Sequence, residues 1–252
     1  MKVYIVGAGP GNPEWLTVQA DRLLRQARIC IYAGSLVNPQ ILDLLPADCA
    51  RHDSAHLCLE EIIAICVEAQ ARNSDVIRLH TGEPSLYGAI GEQMNALAER
   101  GIAFAMIPGI SAFQAAAAAL QCELTAPEIA QTVILTRTAG RTPLPPEQEL
   151  TKLARHKATL CIYLSTENAT LICAELKPFY GEQCPAALIY HASWPDEKVI
   201  RGSLSTMPDL VKGAGITRTA LILVGEALSR PRNASKLYDA SFTHGYRRAG
   251  KL

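Results

Sequence analysis

The feature that most narrows the fold is an alternation that runs through the first half of the chain. Short β-branched runs are each followed by a turn and then by an amphipathic stretch. Strand candidates are Lys2 to Val6, Arg28 to Tyr32, Val76 to His80 and Ala103 to Ile107. Helix candidates are Thr17 to Gln26, Leu57 to Ala71 and Ala89 to Arg100, the second with apolar Leu59, Ile62, Ile63, Cys66 and Val67 on its stripe. Strand then helix, repeated, implies a mostly parallel sheet with helices on both faces.

Beyond an Ala-rich helix the texture changes. Gln131 to Arg137 and Ala158 to Leu164 read as strands, separated by TAGRTPLPPEQE, whose prolines no helix or central strand tolerates. Ala186 to Tyr190, Val199 to Gly202 and Ala220 to Val224 follow as strands, with helices near Asn168 to Phe179 and Thr206 to Lys212. The short path from Tyr190 through SWPDE to Val199 predicts a hairpin, so the second sheet is expected to be mixed. The expected organisation is an α/β domain over 1–121, a second α/β domain over 122–228 and a basic tail over 229–252.

Three glycine-containing turns follow directly on strands of the first half: Gly7-Ala8-Gly9-Pro10-Gly11, Thr81 to Gly88, and Pro108 to Ala112. In a parallel sheet such turns emerge at one edge, the carboxyl ends, where open α/β folds bind ligands. The first is not a dinucleotide fingerprint. Its spacing is G-x-G-x-G, Pro10 lacks the N–H a pyrophosphate would use, and Tyr32-Ala33-Gly34 carries no acid for a ribose hydroxyl. An NAD(P)-dependent oxidoreductase is therefore a weak alternative.

Composition removes other classes. The 24 basic and 24 acidic side chains cancel, which disfavours binding of nucleic acid or an anionic membrane by the surface as a whole. The neutrality is a sum of opposites, since Ser229 to Leu252 holds six basic residues against Asp239, leaving the body at −5. That tail is expected to fold against an acidic body or over a carboxylate-rich substrate. The charge-free stretch Gly101 to Cys122 is broken by Pro108-Gly109 and reads as strand, turn and helix rather than a membrane span. MKVYIVGAG reads as a first strand and not a signal peptide, so a cytoplasmic location is expected. Eight cysteines without a CxxC pair are expected to be mostly buried thiols in a reducing compartment. His52, Asp53, His56 and Cys58 lie close in sequence, but they read as a loop entering a helix, so no metal site is expected.

Taken in order, VGAGPGNPEWLT, HTGEPSLYG and PGISA resemble the signature segments of the tetrapyrrole methyltransferases, which move a methyl group from S-adenosylmethionine onto corrin and sirohaem precursors. The later segments YAGSLV, LTRTAGRTPLP, ASWPDEKVIRG and SKLYDASFTHGYR look like the branch acting on precorrin-4 or its cobalt complex, and the likeness runs from Met1 to Arg248. The resemblance implies a two-domain tetrapyrrole methylase fold, a homodimer, and an S-adenosylmethionine cleft between the domains. It implies methyl transfer to C-11 of cobalt-precorrin-4 in anaerobic cobalamin biosynthesis, giving cobalt-precorrin-5A, with metal-free precorrin-4 as the alternative. Cobalt would arrive inside the substrate.

Carried over by motif, the cofactor would meet Pro10 in the first turn, then Thr81, Gly82, Glu83 and Leu86 in the second. Ser111 and Ala112 would serve in the third turn, and Leu164, Ala192 and Ala220 in the second domain. Glu83 stands where the family usually has Asp, and Ala33 stands where some relatives carry an acid proposed as a base, so that role does not transfer. No catalytic base is assigned, and no Ser-His-Asp or Cys-His arrangement is visible in the sequence. A polycarboxylate substrate calls for cations, for which Arg137 and Arg141 are the leading candidates, with His52, His56, His191 and Lys198 behind them.

Overall fold

The computed structural model describes residues 1–140, 142–229 and 239–248. They form two compact units, Met1–Ala119 with Tyr190–Lys198, and Leu120–Ile189 with the described chain from Val199 onward. The first half supplies β1 (Val3–Gly7), α1 (Val18–Arg25), β2 (Ile29–Tyr32), α2 (Pro39–Leu42), β3 (Ala50–Asp53), α3 (Leu59–Ala71), β4 (Val76–His80), α4 (Ile90–Glu99), β5 (Phe104–Ile107) and α5 (Ala112–Leu120). The second half supplies β6 (Val133–Arg137), α6 (Leu150–Leu153), β7 (Thr159–Tyr163), α7 (Ala169–Tyr180), β8 (Pro185–Tyr190), β9 (Lys198–Ser203), α8 (Met207–Ala214) and β10 (Ala220–Val224).

Every pairing in the first sheet is parallel, in the order β3-β2-β4-β1-β5. The chain leaves β1 toward β2 and β3, returns to β4, then crosses to β5. Neighbouring β1 and β4 thus send their connections in opposite directions, which opens a crevice at their carboxyl ends. Two apolar clusters cover the sheet. One joins Val6, Cys30, Ile77 and Leu79 to Ala20 and Leu24 of α1, and the other joins Val3, Ile31 and Val76 to Ile62 and Cys66 of α3 and Leu97 of α4. Strand side chains alternate between faces, so Arg78 and His80 share the α3–α4 side with Val76.

One strand was not legible in the sequence. His52 and Asp53 lie in β3, not in a loop entering a helix. Its residues ARHD show no apolar alternation; the strand exists because the open edge of β2 offers a ladder, pairing Cys30 with Arg51 and Tyr32 with Asp53. Asp53 Oδ1 accepts N–H groups of Gly34 and Ala55, both at 2.9 Å, and so fixes a turn. Among the described residues no group of three or more His, Cys, Asp or Glu is placed to hold a metal ion. The charge-free stretch splits into β5 and α5, and no described helix is long and apolar enough to cross a membrane.

The second sheet, in the order β6-β7-β10-β8-β9, is mixed: β6 runs parallel to β7 and β10 antiparallel to it. Six cysteines are buried, Cys122 is half-buried and Cys58 is exposed. Burial pushes the Cys30 and Cys161 thiols up to about 12, so they pack as small protonated hydrophobes. Of the basic tail, Arg230, Arg232, Lys236 and Lys251 lie outside the described residues. Within the described part, Arg247 Nη2 donates to Asp239 O at 2.6 Å.

Candidate active site

The three turns touch one another. Gly9 N donates to Gly82 O at 3.2 Å and Gly82 N returns a bond to Gly9 O at 2.7 Å. Glu83 brings in the third turn, its Oε2 accepting Gly109 N and its Oε1 accepting Ser85 N, each at 2.9 Å. The approach is close enough to demand glycine. A Cβ on Gly7 would lie 2.7 Å from both Gly82 O and Gly109 Cα. Gly82 itself has φ +61°, and on its open side a Cβ would meet nothing nearer than Ala112 N at 4.0 Å. A bare backbone with small Ala112 beside it is a cradle suited to a flat ligand.

Glu83 therefore has a structural task that its motif position did not reveal. Burial would raise its pKa, but the N–H groups of Ser85 and Gly109 outweigh that and hold the carboxyl below its ordinary 4.5. Its contribution to stability is complete above that ordinary value and fades as pH falls through the lower folded-state pKa. Glu83→Gln points an NH2 at one of the two donors and is expected to cost about 1 kcal/mol near neutral pH. The gap in thermal midpoint between wild type and Glu83→Gln is expected to shrink as pH drops from about 6 to about 3. A gap constant across that range would show that the anion is not what holds the turns.

The first turn is clamped from far along the chain. Trp194 Nε1 donates to Pro10 O at 2.8 Å, Asn12 N to Ser193 Oγ at 3.0 Å, and Asn38 Nδ2 to Gly11 O at 3.0 Å. Trp194 also stacks on His191 at 4.5 Å, which stacks on Tyr190 at 3.8 Å. His191 Nδ1 lies 2.9 Å from Asp196 Oδ1, an interaction that lowers the Asp196 pKa. Lys198 Nζ sits 6.0 Å from the Tyr190 ring centroid, so it packs on this stack. Ala192, which chain order assigns to the second domain, belongs with the first unit because its neighbours bond to the first turn. His191 and Ser193 on either side of it have φ +47° and +70°, strain of the kind that collects at functional sites.

In the second unit, Leu164 is 74% exposed at φ +52° just after β7. The antiparallel register pairs Ile222 with Ile162, and Ala220 opens β10 two residues earlier. Thr166 Oγ1 donates to Ala220 O at 3.3 Å. Ser165 Oγ accepts Thr138 N at 2.8 Å and donates to Tyr163 O at 2.6 Å, which fixes the ends of β6 and β7 together. Arg137 gives Nη1 to Thr138 O and Thr142 O and Nη2 to Pro143 O, at 3.2, 3.1 and 2.9 Å. Its guanidinium staples the proline-rich loop, and Arg141 lies outside the described residues. Elsewhere, Ser111 is buried before α5 with its N–H on Gln114 Oε1 at 2.9 Å, Thr81 is exposed and Leu86 half-buried. His52 is half-buried in β3 and His56 exposed after it.

A parallel sheet with three fused glycine turns at its carboxyl edge is the architecture of an α/β enzyme, with its candidate site at those turns. Residues 2–208 match the family described as Tetrapyrrole (Corrin/Porphyrin) Methylases, and the chain belongs to that family. It is 47% identical over 252 residues to a cobalt-precorrin-4 C(11)-methyltransferase of Methanocaldococcus jannaschii, covering 99% of this chain and 97% of that protein. It is 48% identical over 248 residues to a precorrin-4 C(11)-methyltransferase of Pseudomonas aeruginosa, covering 98% and 99%. Among solved structures, a cobalt precorrin-4 methyltransferase, CbiF, superposes with TM-score 0.88 at 40% identity over 90% of this chain and 95% of that one. A uroporphyrin-III C-methyltransferase of Thermus thermophilus, complexed with S-adenyl homocysteine, gives 0.75 at 27% identity over 90% and 93%.

Proposed function

We propose that this enzyme methylates C-11 of cobalt-precorrin-4, using S-adenosylmethionine, in anaerobic cobalamin biosynthesis, to give cobalt-precorrin-5A. The observation that carries the reading is near-full-length identity at 47% to a relative of that name, together with the CbiF likeness. When bound, S-adenosylmethionine supplies a methyl group made electrophilic by its sulfonium. Pro10, Gly82, Ser111 and Ala112 would hold it, and the open side of Gly82 fits such a group; Leu164 and Ala220 stay candidates through the family likeness. What the chain contributes is orientation and exclusion of water, since a reduced tetrapyrrole carbon is already electron-rich. Assembly as a homodimer goes with this reading through the family likeness. A cytoplasmic location goes with it through eight free cysteines, which suit a reducing compartment.

The Pseudomonas relative supports a second reading, the same methylation on metal-free precorrin-4. Purified enzyme incubated with labelled S-adenosylmethionine and either substrate separates the two. Label is expected in cobalt-precorrin-5A; label only in the metal-free product would overturn the cobalt assignment.

A further inference from the structure

On the α3–α4 side of the first sheet lies a cavity of about 330 Å3 built around a cation without a counter-ion. Arg78, 7% exposed, donates Nε to Gln93 Oε1 at 2.9 Å and Nη1 to Ile31 O at 3.4 Å, both neutral acceptors. Nη2 has no hydrogen-bond partner, and no carboxylate forms an ion pair with this side chain among the described residues. Next to it in the lining is His80, 8% exposed, whose Nε2 has no partner either. The lining contains one acid, Glu92, which is exposed in the first turn of α4. Leu57, Leu59, Ile62 and Leu86 make the rest largely apolar. A guanidinium more than nine-tenths buried, hydrogen-bonded only to neutral acceptors and without an ion-pair partner among the described residues, is costly unless an anion meets it. A carboxylate does so with two oxygens for the guanidinium fork, and the leucines suit the methylenes that carry it.

We propose that this cavity is a carboxylate pocket that takes one acetate- or propionate-type arm of the substrate, with Arg78 holding the carboxylate, so that it fixes where the macrocycle lies. The assignment rests on the proposed function, because that function makes the substrate a polycarboxylate. Burial and neighbouring Arg78 push the His80 pKa down to about 3, so the imidazole beside Arg78 is neutral and adds no second charge to the lining. Thr81 and Leu86 also line the cavity, so the carboxylate of the methyl donor's methionine moiety is the rival occupant.

The test compares wild type with Arg78→Gln for turnover of cobalt-precorrin-4 and, by calorimetry, for S-adenosylhomocysteine affinity. Arg78→Gln is expected to raise KM about tenfold or more while kcat stays within about threefold and S-adenosylhomocysteine binds unchanged. An unchanged KM in Arg78→Gln overturns the proposal, as does weakened S-adenosylhomocysteine binding with KM intact, which would hand the pocket to the donor. A second arm stands apart from turnover and from the folding of any variant. The thermal midpoint of wild type is expected to rise with millimolar propionate and not with propionamide, and equal responses overturn the pocket. If wild type gives no methylated product, the proposed function fails and the propionate arm alone decides the pocket.

Discussion

Gly109→Ala is expected to be among the most damaging single-methyl changes in this protein, costing about 3 kcal/mol of stability and at least about a hundredfold in S-adenosylhomocysteine affinity. The added Cβ would fall on Gly82 O and within 2.9 Å of Gly7 Cα. Both neighbours are backbone, Gly7 at the end of central strand β1 and Gly82 in the turn after β4, so neither can swing away as a side chain would. Relief requires the third turn to move off the other two, which breaks the bond from Gly109 N to Glu83 and opens the cradle at Gly82. Urea unfolding reads the first effect and calorimetry with S-adenosylhomocysteine the second. A variant with wild-type values for both would mean that the contact among the turns is not what shapes the site.

The second large effect concerns the clamp. In Gly11→Ala the new methyl would fall on Cδ1 and Nε1 of Trp194, which must then leave its place. Its bond to Pro10 O and its stack on His191 go with it. The expected cost is about 2 kcal/mol, together with a red shift of tryptophan fluorescence as the half-buried indole meets water. Because the clash acts through one contact, Gly11→Ala is expected to cost less in a Trp194→Ala background than in wild type, the strain of a side chain at φ +156° being what remains. Full additivity in that double-mutant cycle would rule out the clamp.

Some of this was legible in the chain and some was not, for reasons specific to the residues. Val76 to His80 reads as a strand because five consecutive residues suit a sheet buried on both faces, and all five are buried. The same run hid its most informative members. Nothing local distinguishes an arginine and a histidine at a strand end from solvated ones, and only the α3 and α4 packing on that face buries Arg78 and His80. Strand β3 was missed because an exposed edge strand needs a partner more than a pattern. The motif pointed to Glu83 as a cofactor ligand; its bond to Gly109, 26 residues away, was not legible because it depends on β4 and β5 both flanking β1.

The sequence by itself determined the parallel α/β first half, the mixed second sheet, the three turns at one edge and, through its motifs, the family. These are carried by signals a few residues long: alternation, glycine and proline placement, caps. Tertiary structure alone decided which atoms those turns use on each other, that Trp194 closes on Pro10 across 184 residues, and that the buried Arg78 lines a cavity without an ion-pair partner among the described residues. Each of those depends on strand order and register, which bring distant residues within 3 Å, and no local pattern encodes a distance that long-range packing sets.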